Sequence, residues 1–327
     1  MKPIGTPWLS VAFAVLTAVA PMTAGAQDFP SKPVRIIVPY APGGGTDAVA
    51  RIVGERMSTQ LGQPVVVDNR AGAGGVVGTE LAARAAPDGY TLVLGSTATH
   101  SVNPSLYPKA GYDPIADFVA VSPLATTPAL LVVNAGLPAA TLPELLSLIR
   151  ARPANAPLTF ASAGAGSIQH MAGELFKTMT RTEILHVPYK GAGPAMTDLL
   201  AGHVSMAFDT MPSALPQVRA GRIRALGISA ATRHAALPEV PAIAEAVPGY
   251  ELVTWYGLFA PRGTPPAVVE RLNAEARKAL ESAEVQDKFR AAGLDTRWSS
   301  ATDFAAMVRA DVPKMRRLIE QSGAKAE

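Results

Sequence analysis

Cysteine is absent from the 327-residue chain, and histidine is rare. Without cysteine the protein forms no disulfide bond, no thiolate metal site and no cysteine nucleophile. The five histidines are scattered, without the spacing of a metal site and without an H-E-x-x-H motif. The sequence therefore predicts no bound metal.

The chain also has little excess of either charge. Its 29 Lys and Arg residues are nearly balanced by 26 Asp and Glu residues, which leaves a net charge of +3. No run of five or more basic residues occurs, so we expect no nucleic-acid partner. With 48% hydrophobic and only 17% charged residues, the composition is that of a globular protein with a large core. The length favours two domains.

Long hydrophobic runs are missing except at the N-terminus. There the apolar run of residues 8–20 follows Lys2 and is shorter than the roughly 20 residues that span a bilayer. Ala24 and Ala26 form an A-x-A cleavage pattern. We therefore predict a signal peptide over residues 1–26, cleavage after Ala26 and a periplasmic protein. The alternative is a retained anchor helix.

Beyond residue 26, short apolar runs alternate with segments of helical periodicity. Runs such as "VVV" and "LVVN" are apolar throughout, which is typical of strands covered on both faces in a parallel sheet. The pattern predicts an α/β protein of two lobes, each a mostly parallel sheet flanked by helices. "FVAVSPLA" is expected to be the fourth strand, and a second unit begins after "TPALLVVNA".

Two apolar stretches, residues 125–133 and 252–260, are long enough to connect the two units. They predict two hinge strands between the lobes. We expect lobe 1 to contain residues 27–127 and 251–327, and lobe 2 to contain residues 128–250.

Known phosphate-binding and catalytic motifs are missing from the sequence. No Gly-Lys-Ser/Thr occurs, which excludes a Walker loop, and "GAGGVVG" has one residue too many for a dinucleotide fingerprint. No G-x-S-x-G motif is present. Ser167 and His170 are the only candidate catalytic pair, and no third residue that would orient the histidine is evident. The sequence predicts neither a cofactor nor catalysis.

Two glycine-rich loops each connect a predicted strand to a predicted helix. The first, "PGGGTD", opens a helix at Thr46 or Asp47, and the second, "SAGAGSIQH", has Ser167 as its N-cap. Such loops present backbone N–H groups at the positive end of a helix dipole. They lie at the carboxyl ends of the strands, where open parallel sheets bind ligands. A small molecule with one or two carboxylates suits two such loops across one cleft. The alternative is that each loop is only a tight turn.

Several segments, taken in their order along the chain, resemble one family of receptors. They are "KPVRIIVPYAPGGGTDAVAR", "GQPVVVDNRAGAGGVVGTELAARAAPDGYTLVLGS", "LTFASAGAGSIQHMAGELF", "HVPYKGAGPAMTDLLAGHVSMAFD" and "GRIRALGIS". Together they resemble the substrate-binding proteins of tripartite tricarboxylate transporters, the Bug-type receptors. The resemblance covers nearly all of the chain after residue 26. It implies a two-lobed periplasmic binding protein of the second structural type, which closes on its ligand like a flytrap.

In this family the two glycine loops hold one carboxylate of the ligand, and ordered waters bridge the first loop to a distal group. Asp47 and Asp209 have a second interpretation as helix caps, and His170 as a surface cap. Neither loop contains Arg or Lys, so we expect backbone N–H groups and hydroxyls to hold the carboxylate. The ligand-binding residues that the resemblance implies are Tyr40, Pro42, Gly43, Gly44, Thr46, Asp47, Ser96, Thr97, Ser162, Gly164, Gly166, Ser167, His170 and Asp209.

The ligands of this family include dicarboxylates, citrate, acidic amino acids and aromatic acids. The resemblance therefore implies a monomeric extracytoplasmic receptor that delivers a small carboxylate to the subunits of a membrane transporter. Two alternatives remain open at this point. One is that the protein is the ligand-sensing partner of a membrane sensor kinase. The other is that it is a periplasmic enzyme that processes a carboxylate.

Overall fold

The computed structural model describes residues 29–326, so the predicted signal peptide and its cleavage site lie outside the described residues. The strands are β1 (Val34–Val38), β2 (Val65–Asn69), β3 (Thr91–Ser96), β4 (Phe118–Asn134), β5 (Leu158–Ser162), β6 (Ile184–Pro188), β7 (Met206–Thr210), β8 (Ile223–Ile228), β9 (Val253–Pro261) and β10 (Asp295–Thr296). The helices are α1 (Gly45–Leu61), α2 (Val76–Ala83), α3 (Asn103–Leu106), α4 (Leu142–Ala151), α5 (Ile168–Thr180), α6 (Ala192–Ala201), α7 (Met211–Arg219), α8 (Pro266–Glu281), α9 (Ala283–Ala292) and α10 (Ala301–Ser322).

Lobe 1 is built on a sheet in which β2, β1 and β3 are parallel and β9 joins β3 antiparallel. Successive residues of β1 are buried on opposite faces of this sheet. Ile36 packs in a core with Val53 of α1 and Leu272 of α8. Ile37 packs on the other face with Val76 of α2. Helices on both faces explain why the strand is apolar throughout.

Lobe 2 repeats this arrangement with β6, β5 and β7, which are parallel to one another. On one face Phe160 of β5 packs with Phe176 of α5. On the other face Ala161 packs with Leu199 of α6 and Leu215 of α7. As in lobe 1, helices cover both faces of the strands.

One long strand, β4, runs through both lobes. Its first part pairs antiparallel with β9 of lobe 1, and its second part, from Ala129 onward, pairs antiparallel with β7 and β8 of lobe 2. The sequence had suggested that "FVAVSPLA" was a strand of its own. In the structure "FVAVSPLA" and the following "TTPALLVVN" form one continuous strand. Register shifts near Ser122 and Pro123 accommodate the proline without ending the pairing with β9.

The return connection from lobe 2 to lobe 1 lies beside β4. Ser229, directly after β8, donates its backbone N–H to Ala129 O and accepts the backbone N–H of Leu252 at its own carbonyl, 2.9 and 2.8 Å respectively. Its side-chain oxygen accepts the Ala129 N–H at 2.8 Å and donates to Leu252 O. Ser229 therefore ties together both segments that cross between the lobes.

The C-terminal helix α10 contacts both lobes. Phe304 and Val308 in its first half pack in the core of lobe 1 with Phe259. Met315 in its second half packs in the main core of lobe 2, where α10 lies against α5. Helix α4, which the sequence pattern did not indicate, and helix α7, which follows Asp209, complete lobe 2. Within residues 29–326 no helix combines the length and the apolar composition needed to cross a membrane.

Candidate functional site

The first glycine loop leads from β1 into α1, which begins at Gly45 rather than at Thr46 or Asp47. In the described chain no side chain caps this helix, whose N-cap residue is Gly44. Asp47 instead accepts hydrogen bonds from the Gly43 N–H at 3.1 Å and from Arg51 at 3.0 Å. Burial opposes its ionisation, but these hydrogen bonds and one from Asn69 lower its pKa below the usual value. The Asp47 carboxylate therefore holds the backbone of the first glycine loop in place through the Gly43 N–H.

The second glycine loop leads from β5 into α5. Ser167 is the N-cap residue and accepts the backbone N–H of His170 at 3.2 Å, as the sequence predicted for this serine. The His170 ring accepts the Gly166 N–H at Nδ1, 3.1 Å away, and stacks on His186 with ring centroids 4.1 Å apart. Burial, followed by the charges of His186 and Lys177, lowers the pKa of His170 to about 3, so the ring is neutral.

A cavity lies where these two loops meet, with an empty volume of about 330 Å³ that includes the part open to solvent. Both lobes and the hinge strand β9 contribute to its wall. The lining residues are Tyr40, Gly44, Gly45, Thr46, Ser96, Ala98, Ala163, Ile168, Gln169, Ala192, Thr210, Thr254 and Tyr256.

The N-termini of four helices converge on this cavity. Gly45 begins α1, Ile168 begins α5 and Ala192 begins α6, while Thr210 is the N-cap of α7. In residues 29–326 no side-chain hydrogen bond caps α1, α6 or α7. The first N–H groups of a helix have no partner inside the helix and lie at the positive end of its dipole. The cavity therefore has a positive potential that comes from the backbone.

No charged side chain is among the residues that line the cavity. Hydroxyl groups supply the remaining polar surface. The Tyr40 hydroxyl donates to Gly74 O at 2.9 Å, and burial raises the pKa of this phenol, so it stays neutral. Backbone N–H groups and neutral hydroxyls together are the donors that a carboxylate or another oxyanion requires.

The two lobes touch each other around the cavity, so the cleft is closed. The Ala41 N–H donates to Lys190 O at 3.2 Å, and the Tyr107 hydroxyl donates to Ala165 O at 2.9 Å. Glycine also allows the two backbones to approach closely near these hydrogen bonds, at Gly193 and Pro42. A Cβ atom on Gly193 would lie 2.5 Å from Pro42 O, closer than real Cβ contacts allow.

A family model for the "Tripartite tricarboxylate transporter family receptor" matches residues 49–324. The chain belongs to this family. The resemblance stated from the sequence motifs is thereby confirmed. The receptor is 44% identical over 293 residues to a protein encoded in the tcbD-tcbE intergenic region of Pseudomonas sp. strain P51, covering 89% of this chain and 86% of that one. It is 37% identical over 313 residues to BugT of Bordetella pertussis, covering 95% of both chains.

Solved structures share the fold of the receptor. The periplasmic binding protein BugD matches with a TM-score of 0.88 at 32% identity, covering 91% of the receptor and all of BugD. Rpa4515 of R. palustris, solved with adipate, has a TM-score of 0.88 at 38% identity over 91% and 99% of the two chains. MatC from Rhodopseudomonas palustris, solved with bound malate, has a TM-score of 0.84 at 35% identity over 89% and 100%. The predicted two-lobed binding-protein fold is confirmed, and the chain is a solute receptor, not an enzyme.

The structure separates the ligand-binding residues expected from the sequence into those that line the cavity and those that build its wall. Tyr40, Gly44, Thr46 and Ser96 line it. The others lie behind the lining or face elsewhere: Pro42, Gly43, Asp47, Thr97, Ser162, Gly164, Gly166, Ser167, His170 and Asp209.

Several of these supporting residues have identifiable partners. Thr97 accepts the Trp255 N–H at 3.0 Å, which links the end of β3 to the hinge strand β9. Ser162 accepts the Gly164 N–H at 3.1 Å and lies 2.6 Å from His186 Nε2. These bonds shape the wall of the cavity rather than its surface. His170 lines a separate groove together with His186 and residues of the C-terminal segment.

Asp209 is buried at the end of β7, directly behind Thr210. Its Oδ1 accepts the Thr210 N–H at 2.7 Å. Burial raises its pKa to about 6, although hydrogen bonds from Ser213, Thr210 and Gln169 act in the opposite direction. Gln169 lies in the lining of the cavity, so Asp209 acts on the cavity through a neighbour.

The sequence interpretation missed the contributions of α6, α7 and β9. The segment "VPYKGAG" resembles "VPYAPGG" of the first loop and was a usable signal for the α6 terminus. Thr210 followed by Pro212 is an N-cap signal with proline in the first turn, which would have indicated α7. The sequence favoured packing at the lobe junction for Tyr256 over a ligand contact, because a residue within the apolar strand β9 carries no local sign of which role it has.

Proposed function

We propose that the receptor binds a small carboxylate in the cavity between its lobes. The observation that carries the proposal is the convergence of four helix N-termini on a cavity without charged side chains. Backbone N–H groups of α1 and α5 hold the main carboxylate, and the hydroxyls in the lining bind its remaining polar groups. Adipate in one solved relative and malate in another support this class of ligand.

The lobes close around the ligand as two units, residues 27–127 with 251–327 and residues 128–250. Only the closed form brings the N-termini of both lobes to the ligand, so the ligand stabilises closure by its extra contacts. A signal peptide of residues 1–26 directs the chain to the periplasm. There the receptor works as a monomer and delivers its ligand to the subunits of a membrane transporter.

A thermal-shift screen with paired acids and amides tests the carboxylate requirement. A ligand that binds only the folded state raises the melting temperature. We expect at least one of succinate, adipate, citrate and benzoate to stabilise the receptor, and the corresponding amide to have no effect. Equal stabilisation by acid and amide would show that the cavity does not select a carboxylate.

Delivery to a transporter is tested in cells. Deleting the gene should abolish uptake of the radiolabelled acid that binds the purified protein, and a plasmid copy should restore uptake. A copy that lacks residues 1–26 should fail to restore it, because the receptor then stays in the cytoplasm. Normal uptake in the deletion strain would contradict the transport role.

A further inference from the structure

The hydroxyl group of Thr210 is buried in the wall of the cavity. Thr210 ends β7, precedes α7 and is 2% exposed. Among the residues that the structure describes, no well-aligned hydrogen bond reaches its Oγ1 atom, although the Tyr256 hydroxyl lies close enough to interact with it. Leaving a buried hydroxyl unpaired is unfavourable. This atom is therefore available to a ligand in the cavity.

The Tyr256 hydroxyl approaches the same place from lobe 1. A Cβ atom on Gly45 would collide with the Tyr256 hydroxyl and lie 2.8 Å from Thr210 Oγ1, so both hydroxyls converge on the first residue of α1. We call this group of Gly45, Thr210 and Tyr256 the hydroxyl corner. It joins the two lobes, because Thr210 belongs to lobe 2 and the other two residues to lobe 1.

The chemistry of the hydroxyl corner suits a neutral group better than a second anion. A ligand hydroxyl donates and accepts at once, which matches two protein hydroxyls that can each do both. A ligand carboxylate at Thr210 would lie beside the buried carboxyl group of Asp209, which accepts the Thr210 N–H at 2.7 Å. Like charges at such short range disfavour each other.

We propose that the ligand is a hydroxy acid, whose carboxylate binds at the helix N-termini and whose hydroxyl is selected by Thr210 and Tyr256. This inference rests on the proposed function, since it concerns the same cavity. It narrows the substrate class from small carboxylates to those that carry a hydroxyl group close to a carboxylate.

Pairs of acids that differ in one hydroxyl test the inference by calorimetry. The pairs are L-malate with succinate, citrate with tricarballylate, and lactate with propionate. We expect the wild type to bind the hydroxy acid of at least one pair roughly tenfold or more tightly than its partner. Thr210→Val keeps the shape and removes the hydroxyl, so the preference for the hydroxy acid over its partner should fall below about threefold.

Two further variants control for the substitution itself. Thr210→Ser keeps a hydroxyl and should retain the preference of the wild type. Thr197→Val makes the same chemical change at an exposed position of α6 outside the cavity lining and should also retain it. Circular dichroism checks that each variant is folded.

The outcomes separate this inference from the proposed function. If the wild type binds both members of every pair equally, or if Thr210→Val weakens both members equally, the hydroxyl corner does not select a hydroxyl, and carboxylate binding still stands. If none of the six acids binds the wild type, both proposals are overturned for this class of ligands.

Discussion

Ser229 bonds to both segments that cross between the lobes. It is fully buried, and its side-chain oxygen serves the Ala129 N–H and the Leu252 carbonyl. Ser229→Ala leaves both backbone groups buried without that partner, and we expect a loss of about 1–3 kcal/mol in the free energy of unfolding. Urea denaturation measures it. Ser147→Ala on the exposed face of α4 is the matched control, and an equal, small effect in both variants would refute this role.

Asp209 makes the stability of the receptor depend on pH. Its pKa is raised from 3.8 to about 6, mainly by burial, so the folded state favours the protonated carboxyl group. This contribution to stability is complete below pH 3.8 and is lost as the pH rises through about 6. Asp209→Asn keeps the acceptor for Thr210 and cannot ionise.

We therefore expect the stability of Asp209→Asn relative to the wild type to increase with pH across this window. The slope should approach ~1.4 kcal/mol per pH unit at most. Urea denaturation of both proteins at pH 4.5, 5.5, 6.5 and 7.5 gives the difference, in which the other titrating groups cancel. A difference that is constant over the four pH values would contradict the burial of an ionisable carboxyl group.

Among the secondary-structure elements, α6 is the one whose sequence reflects closure. Gly193 lies in its first turn, where alanine would favour the helix by roughly 1 kcal/mol. Yet a Cβ atom there would lie 2.5 Å from the backbone oxygen of Pro42 in the other lobe. A backbone atom cannot move aside as a flexible side chain can, so the glycine serves the closed form.

Gly193→Ala should therefore separate stability from binding. We expect the unliganded variant to melt at the same or a higher temperature than the wild type, and its ligand affinity to fall by about tenfold or more. Small-angle scattering should show a smaller ligand-induced decrease in the radius of gyration. Thr197→Ala, on the exposed side of the same helix, gains helix propensity without the interlobe contact. Wild-type affinity in Gly193→Ala would mean that closure does not bring these backbones together.

For the whole molecule, the source of positive potential decides how binding responds to salt. The cavity lining contains no Lys, Arg or His, so the field comes from helix termini enclosed between the lobes. Such partial charges are screened less than exposed ones. We expect the affinity for the carboxylate to change less than about threefold between roughly 0.02 and 0.2 M salt, where exposed ion pairs are screened.

Lys190→Ala is the matched test of this interpretation. The backbone oxygen of Lys190 accepts the Ala41 N–H between the lobes. Replacing the side chain leaves that hydrogen bond in place. We expect a loss of less than about tenfold, because a lysine at the rim acts mainly on the encounter rate. A hundredfold loss or a steep dependence on salt would show that a basic side chain holds the anion.

The sequence alone determined the repeating strand–loop–helix units and the family. Apolar runs such as "VRIIV" are typical of strands covered on both faces, and glycines directly after them mark the turn into a helix. The N-cap role of Ser167 is equally local, since it needs only a hydroxyl three residues before a free N–H. Patterns of this kind depend on neighbours in the chain, which is why they could be predicted.

Only the tertiary structure decided which side chains reach the cavity. Asp47 and His170 belong to the predicted loops, but a hydrogen bond to Gly43 and a ring stacked on His186 turn them away from it. Thr210 and Tyr256 lie in different strands and converge on Gly45 only because the two lobes close against each other. The direction of a side chain is set by packing between segments far apart in sequence, and no local pattern records that packing.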